Sequence, residues 1–268
     1  MFLNDLKKGL FNNRMLFVFS VTFVLFYLSD YISIFKPMTF ADLNAPDLQS
    51  NEEAVHFIYS NGHNKYQVWL QSFKYIGFLF PLLVLLPYGT SYFDEKQSNF
   101  HYYIWSRTSY RKYARNKFLV SGLVGGLSIL LPEFVYYIVI SIIFQNKMLE
   151  STMFQAQGPL SNMFQSTPEL YIAFVLFTHF LIGCAFAAMG VCISTFVKKK
   201  IVVFVLPYLL YMGSGIILEG FLRIFTYSPL QWIQLMYNLQ VNLPIMYGCL
   251  AILFIGSAVV FNLRARMV

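Results

Sequence analysis

Apolar runs long enough for a helix to cross a bilayer recur along this chain, and they leave it few folds. A hydrocarbon core about 30 Å thick needs about 20 mostly apolar residues in helical form. Six such runs stand at about 15–35, 69–93, 118–144, 169–197, 201–218 and 243–263. Only 12% of the 268 residues are charged, about half of what a soluble domain carries. The sequence therefore predicts an all-α polytopic membrane protein, a single transmembrane domain over residues 1–268 with six spans.

The charges set the direction of the spans. Fourteen of the nineteen Lys and Arg residues fall on one side: Lys7, Lys8 and Arg14, then Lys96, Arg107, Arg111, Lys112, Arg115 and Lys117, then Lys198, Lys199 and Lys200, then Arg264 and Arg266. Lys36, Lys65, Lys74, Lys147 and Arg223 fall on the other. Cytoplasmic loops carry the basic excess, so both termini are expected inside. Basic residues at the ends of apolar runs also account for the net charge of +7. The bilayer is the implied partner, and no nucleic acid is expected.

Several connecting segments have local signals. Phe2, Leu3, Leu6, Leu10 and Phe11 recur at helical spacing with Asp5, Lys7, Lys8 and Arg14 between them, which predicts a basic amphipathic helix in the headgroup layer. The apolar run that follows has no small-x-small cleavage site, so it reads as an uncleaved span. Ser50 and Glu53 form a capping-box pattern before a short helix over Asn51–Tyr59, and Asn61-Gly62 marks a turn. Pro81 and Pro87 predict a kinked second span. In the third span Ser121/Gly125 and Gly122/Gly126 are small residues four apart, which lets another helix approach closely. The semi-polar stretch after Leu218, broken by Pro229, predicts short helices dipping into the outer leaflet.

Motifs of chemistry are missing. Nothing matches GxxxxGK[ST], HExxH, GxSxG or CxxC, so no catalytic residues, no metal site and no nucleotide-binding domain are assigned to this chain. Cys184, Cys192 and Cys249 lie in apolar runs as buried thiols. Four ionisable residues near the membrane interior remain as candidate polar sites. Glu133 follows Pro132 in the third span and His179 lies in the fourth; either handles substrate or protons, or serves packing. Glu219 and Arg223, four apart, could pair on one helical face.

The most polar stretch between two spans is Asp94–Lys117, DEKQSNFHYYIWSRTSYRKYARNK. Phe100, Tyr102, Tyr103, Ile104 and Trp105 crowd into it. Two readings stand: a knob that fits a partner's groove, or an interfacial helix on anionic lipid.

The basic N-terminal helix, the six spans, the long second-to-third loop and the proline-broken Tyr227-Ser228-Pro229 segment together resemble the membrane subunits of ABC-2 type exporters. Glu95, Ser106, Arg107, Tyr110, Arg111 and Lys117 fit the outline of that family's loop, with Ser98-Asn99 standing where a glycine is usual. The resemblance implies a permease subunit of a bacterial exporter in the cell membrane, pairing with a second permease subunit, identical or related. Two copies of a separate ATPase would bind the ATP and Mg. It implies ATPase coupling through Phe100, Tyr103, Ile104, Trp105 and Arg107, a connecting helix at Leu3–Phe11, and re-entrant helices in the Glu219–Asn238 region. A hydrophobic or amphipathic peptide or drug would suit as cargo. The alternative is a stand-alone secondary transporter or channel using Glu133 and His179; a membrane enzyme would need a constellation that the sequence does not supply.

Overall fold

The computed structural model describes residues 2–37, 51–105, 108–144 and 156–265. Among them every regular element is helical. Helix α1 (Phe2–Leu10) leads into α2 (Asn13–Asp30), which continues as a π-helical turn to Phe35. Asn12 starts α2 by accepting from the Met15 amide at 2.7 Å, an N-cap that satisfies one of the free first-turn donors. Helices α3 (Glu52–Gly62), α4 (Lys65–Gln71) and α5 (Ile76–Leu85) follow, then α6 (Ser91–Gln97), α7 (Phe100–Trp105) and α8 (Tyr110–Ile143). The second half holds α9 (Ser161–Ser166), α10 (Pro168–Ser194) and α11 (Lys200–Gly215), the last extended by a π turn to Phe221. Short 3-10 turns flank α12 (Pro229–Ile233), and α13 (Leu243–Ala265) closes the described chain.

Among the described residues five helices are long and apolar enough to cross a membrane: Asn13–Phe35, Tyr110–Ile143, Pro168–Ser194, Lys200–Phe221 and Leu243–Ala265. At 1.5 Å per residue α8 is about 51 Å long, so it outruns any hydrocarbon core and starts eight residues before the expected third span.

The segment expected as the second span differs most from its expectation. It is not one kinked helix: α4 and α5 meet at 74° across a break at residues 72–75. Neither proline makes the break, since Pro81 lies inside α5 and Pro87 in the turn after it. What holds it is side chains supplied from elsewhere. Ser29 donates to the Gln71 carbonyl, Gln234 to the Lys74 carbonyl at 3.3 Å, and Tyr211 to the Gly77 carbonyl at 2.8 Å. That last carbonyl is the one Pro81 cannot serve, because proline has no N–H to return to the residue four before it. Carbonyls freed inside an apolar bundle must find such partners.

The bundle is built on α8 and α10. A Cβ added to Gly125 would sit 2.3 Å from the Ala187 Cβ, and one added to Gly183 would sit 2.9 Å from the Gly126 Cα. The small residues of the third span thus meet those of the fourth, and the backbones touch. Helix α1 does more than lie at a surface: Phe2, Leu6 and Leu10 pack on Tyr88, Val120 and Val124, while Leu3 and Phe11 stay exposed. Two local expectations also shift. Asn51 accepts from the Ala54 amide at 3.0 Å at the start of α3; Ser50, expected to cap it, lies outside the described residues. The helix then runs through Asn61-Gly62, so the turn comes after them.

Candidate functional site

Basic segments far apart in sequence gather at one end of the bundle. Lys117, near the start of α8, is buried there. Its Nζ lies 2.5 Å from Glu95 Oε1 on α6, donates to the Tyr88 hydroxyl at 2.9 Å, and sits 3.7 Å from Asp5 Oδ1 on α1. Tyr113 donates to the other Glu95 oxygen at 2.7 Å. A second set holds the opposite side of α6. Asp94 accepts from Lys200 Nζ at 2.8 Å and from Thr90 Oγ1 at 3.2 Å, while Lys96 donates to the Thr195 carbonyl at 3.2 Å. Helix α6 is therefore tied to α1, α8, the end of α10 and the start of α11.

Asn99 follows α6 with φ 56°. That left-handed conformation is costly for most side chains and tolerable for asparagine, whose short amide bonds locally. Asn99 thus makes the sharp turn that a glycine would otherwise make, and α7 comes off it at an angle to α6. On α7, Phe100, Tyr102 and Tyr103 are 51%, 54% and 72% exposed, and the Phe100 and Tyr103 rings lie side by side at 6.3 Å. Of the other residues expected there, Ile104 and Trp105 belong to the helix, and Arg107 lies outside the described residues.

The four interior candidates divide. Glu133 on α8 and His179 on α10 come together: Glu133 Oε1 lies 2.8 Å from His179 Nδ1, and both side chains are closed off from solvent. His179 Nε2 donates to the Ile233 carbonyl of α12 at 3.0 Å, and its ring stands edge-on to Phe73 at 5.3 Å. Glu219 and Arg223 do not pair. The π turn ends at Phe221, and Arg223 is exposed with φ 55°, so the i,i+4 geometry of a helix is gone before the arginine is reached. Glu219 instead accepts from Ser228 and, at 2.8 Å, from Gln231. It braces the Pro229 segment.

Two polar clusters have no counterpart in the sequence reading. Asp30, at the end of α2, accepts from Ser72 at 3.0 Å and from Tyr136. Its signal was a lone carboxylate closing an apolar run. Lys65 lies 2.6 Å from Glu169, which also accepts from Tyr66 at 3.0 Å and from Tyr137. Those partners stand 32 to 104 positions apart in sequence, beyond any local pattern. Among the described residues no set of His, Cys, Asp and Glu is placed to hold a metal ion. An apolar groove of about 500 Å³ runs between α8, α10 and α13, past Leu119, Gly122, Cys184 and Phe254. Comparison with family models, curated proteins and solved structures gives no match to this chain.

Proposed function

We propose that the chain is a membrane subunit of an ATP-driven ABC-2 type exporter, crossing the bacterial cell membrane six times with both termini inside. In this reading α4 and α5 count as one broken span, and the α12 region forms the re-entrant hairpin. One observation carries it: exposed aromatics on α7 sit beside an α6 that salt bridges and hydrogen bonds join to four other elements. A lipid-facing interfacial helix needs no such anchoring. A coupling helix does, because force applied to it must reach the spans rather than bend a loop. The Glu95–Lys117–Asp5 cluster supplies that stiffness, since breaking any contact would strand a buried charge. Phe100 and Tyr103 would enter a groove on a separate ATPase, two copies serving two permease subunits. The ATP and Mg bind there and not to this chain. The apolar groove suits a hydrophobic or amphipathic cargo.

The test is purification of the tagged chain from membranes that co-express a candidate ABC ATPase. The reading expects a complex that hydrolyses ATP and loses transport when ATP is depleted. A second reading, a stand-alone transporter, draws on the meeting of Glu133 and His179. It expects the chain to purify alone and to move substrate down a proton gradient without ATP.

A further inference from the structure

The Glu133–His179–Ile233 chain of contacts allows its protons to be counted. A backbone carbonyl can only accept, so His179 Nε2, 3.0 Å from the Ile233 oxygen, carries a hydrogen. That leaves Nδ1 facing Glu133 Oε1 at 2.8 Å. Two bare lone pairs would repel at that distance in a site closed to water, so one proton lies between them. With the proton on nitrogen the pair is imidazolium and carboxylate; with it on oxygen the pair is neutral imidazole and carboxylic acid. Both forms have zero net charge. The remaining oxygen, Oε2, is buried without a hydrogen-bond partner, which raises the cost of the carboxylate form.

We infer that Glu133 and His179 form a binding site for a single proton, held permanently, and that this proton fixes the His179 ring, whose Nε2–H clamps α12 over the break between α4 and α5. The placement supports the clamp. His179 touches Phe73, inside the break, and Ile233, at the end of α12. Gln234, one residue on, bonds the Lys74 carbonyl of the same break. Gly77 faces Ile233, Gln234 and Tyr211, where a Cβ would be in ordinary contact with all three. Removing the proton would leave a carboxylate against a lone pair, and adding a second would leave a buried net charge. The geometry therefore fits one proton, neither none nor two. At the break itself, Asp30 is held by Ser72 and Tyr136, and Tyr211 by the Gly77 carbonyl. This inference is independent of the exporter reading.

Hydrogen–deuterium exchange on the full chain in lipid nanodiscs tests it. Protection of residues 229–237, corrected for intrinsic exchange, should stay flat from about pH 5 to 8, the interval in which histidine usually changes charge. Glu133→Gln keeps a donor for Nδ1 and should match the wild type. Glu133→Met removes it and should cut protection of 229–237 by about tenfold, the scale of one lost buried hydrogen bond. Protection along 110–143 should hold in both variants, which separates local release from misfolding. A protection step in the wild type across that pH interval would overturn the inference. So would Glu133→Gln loosening α12 as much as Glu133→Met, or Glu133→Met leaving it as tight as the wild type.

Discussion

The basic end of the bundle and the break in its second span are both held by long-range polar contacts, but from different materials. At the basic end, charges of both signs interleave, and water reaches the rim: Lys200 and Asp94 are about two-fifths exposed. Around the break most of the groups are buried, the Gln234–Lys74 contact excepted, and the contacts are hydroxyl to carbonyl, amide to carbonyl, and a carboxyl with its hydrogen-bond donors. Desolvation explains the division. An isolated ion in a dry interior costs several kcal/mol, whereas a hydroxyl that finds an acceptor costs little. The difference also suits the proposed work: a stiff, charged platform where a partner docks, and a neutral seam where helices are packed against a bend.

The largest expected effect comes from Lys117, a fully buried cation of the basic end. Lys117→Met takes a buried cation away from Glu95 and Asp5, leaving Glu95 its bond from Tyr113, and should cost about 3–5 kcal/mol, read as the midpoint of SDS-induced unfolding. If it cost under about 1 kcal/mol, the platform would not rest on charge. At the seam, Tyr211→Phe leaves the Gly77 carbonyl without its donor and should cost about 1–3 kcal/mol in the same assay. A value near zero would mean the Pro81 gap needs no filling. Asn99→Ala should cost about 1 kcal/mol through the left-handed backbone, while Asn99→Gly should be neutral or stabilising. Smallest is Lys200→Met, a half-exposed pair with Asp94, expected at about 0.2–1 kcal/mol and fading with salt. Were its cost as large as that of Lys117→Met, the contrast between buried and rim charges would fail.

The long apolar helices were legible because hydropathy alone marks them: the five candidate spans begin and end close to the expected runs, α8 excepted. Its first eight residues are polar, and nothing in composition says that Tyr110–Lys117 stays helical; packing of Tyr113 and Lys117 decides that. That some helix approaches α8 closely was legible from Ser121/Gly125 and Gly122/Gly126; that the partner is α10 was not. Nor was the break. Proline drew attention to positions 81 and 87, yet the carbonyls that define the bend are served by Ser29, Tyr211 and Gln234, up to 160 positions away. Glu133 and His179 could be singled out one by one as polar residues in apolar runs. That they meet depends on where α8 crosses α10. Glu219 and Arg223 show the converse, a spacing that promised a pair on a helix that ends too soon.

The proposed docking of an ATPase on α7 can be put to a single comparison. Wild-type chain and the Phe100→Ala/Tyr103→Ala double variant are purified from membranes co-expressing the candidate ATPase, with insertion checked by the yield of folded chain. Truncating two aromatic anchors at an interface centre removes about 2 kcal/mol or more, so bound ATPase should fall at least about thirtyfold while the yield of folded chain is unchanged. Retention of the ATPase at wild-type levels would contradict the claim and return α7 to the lipid surface.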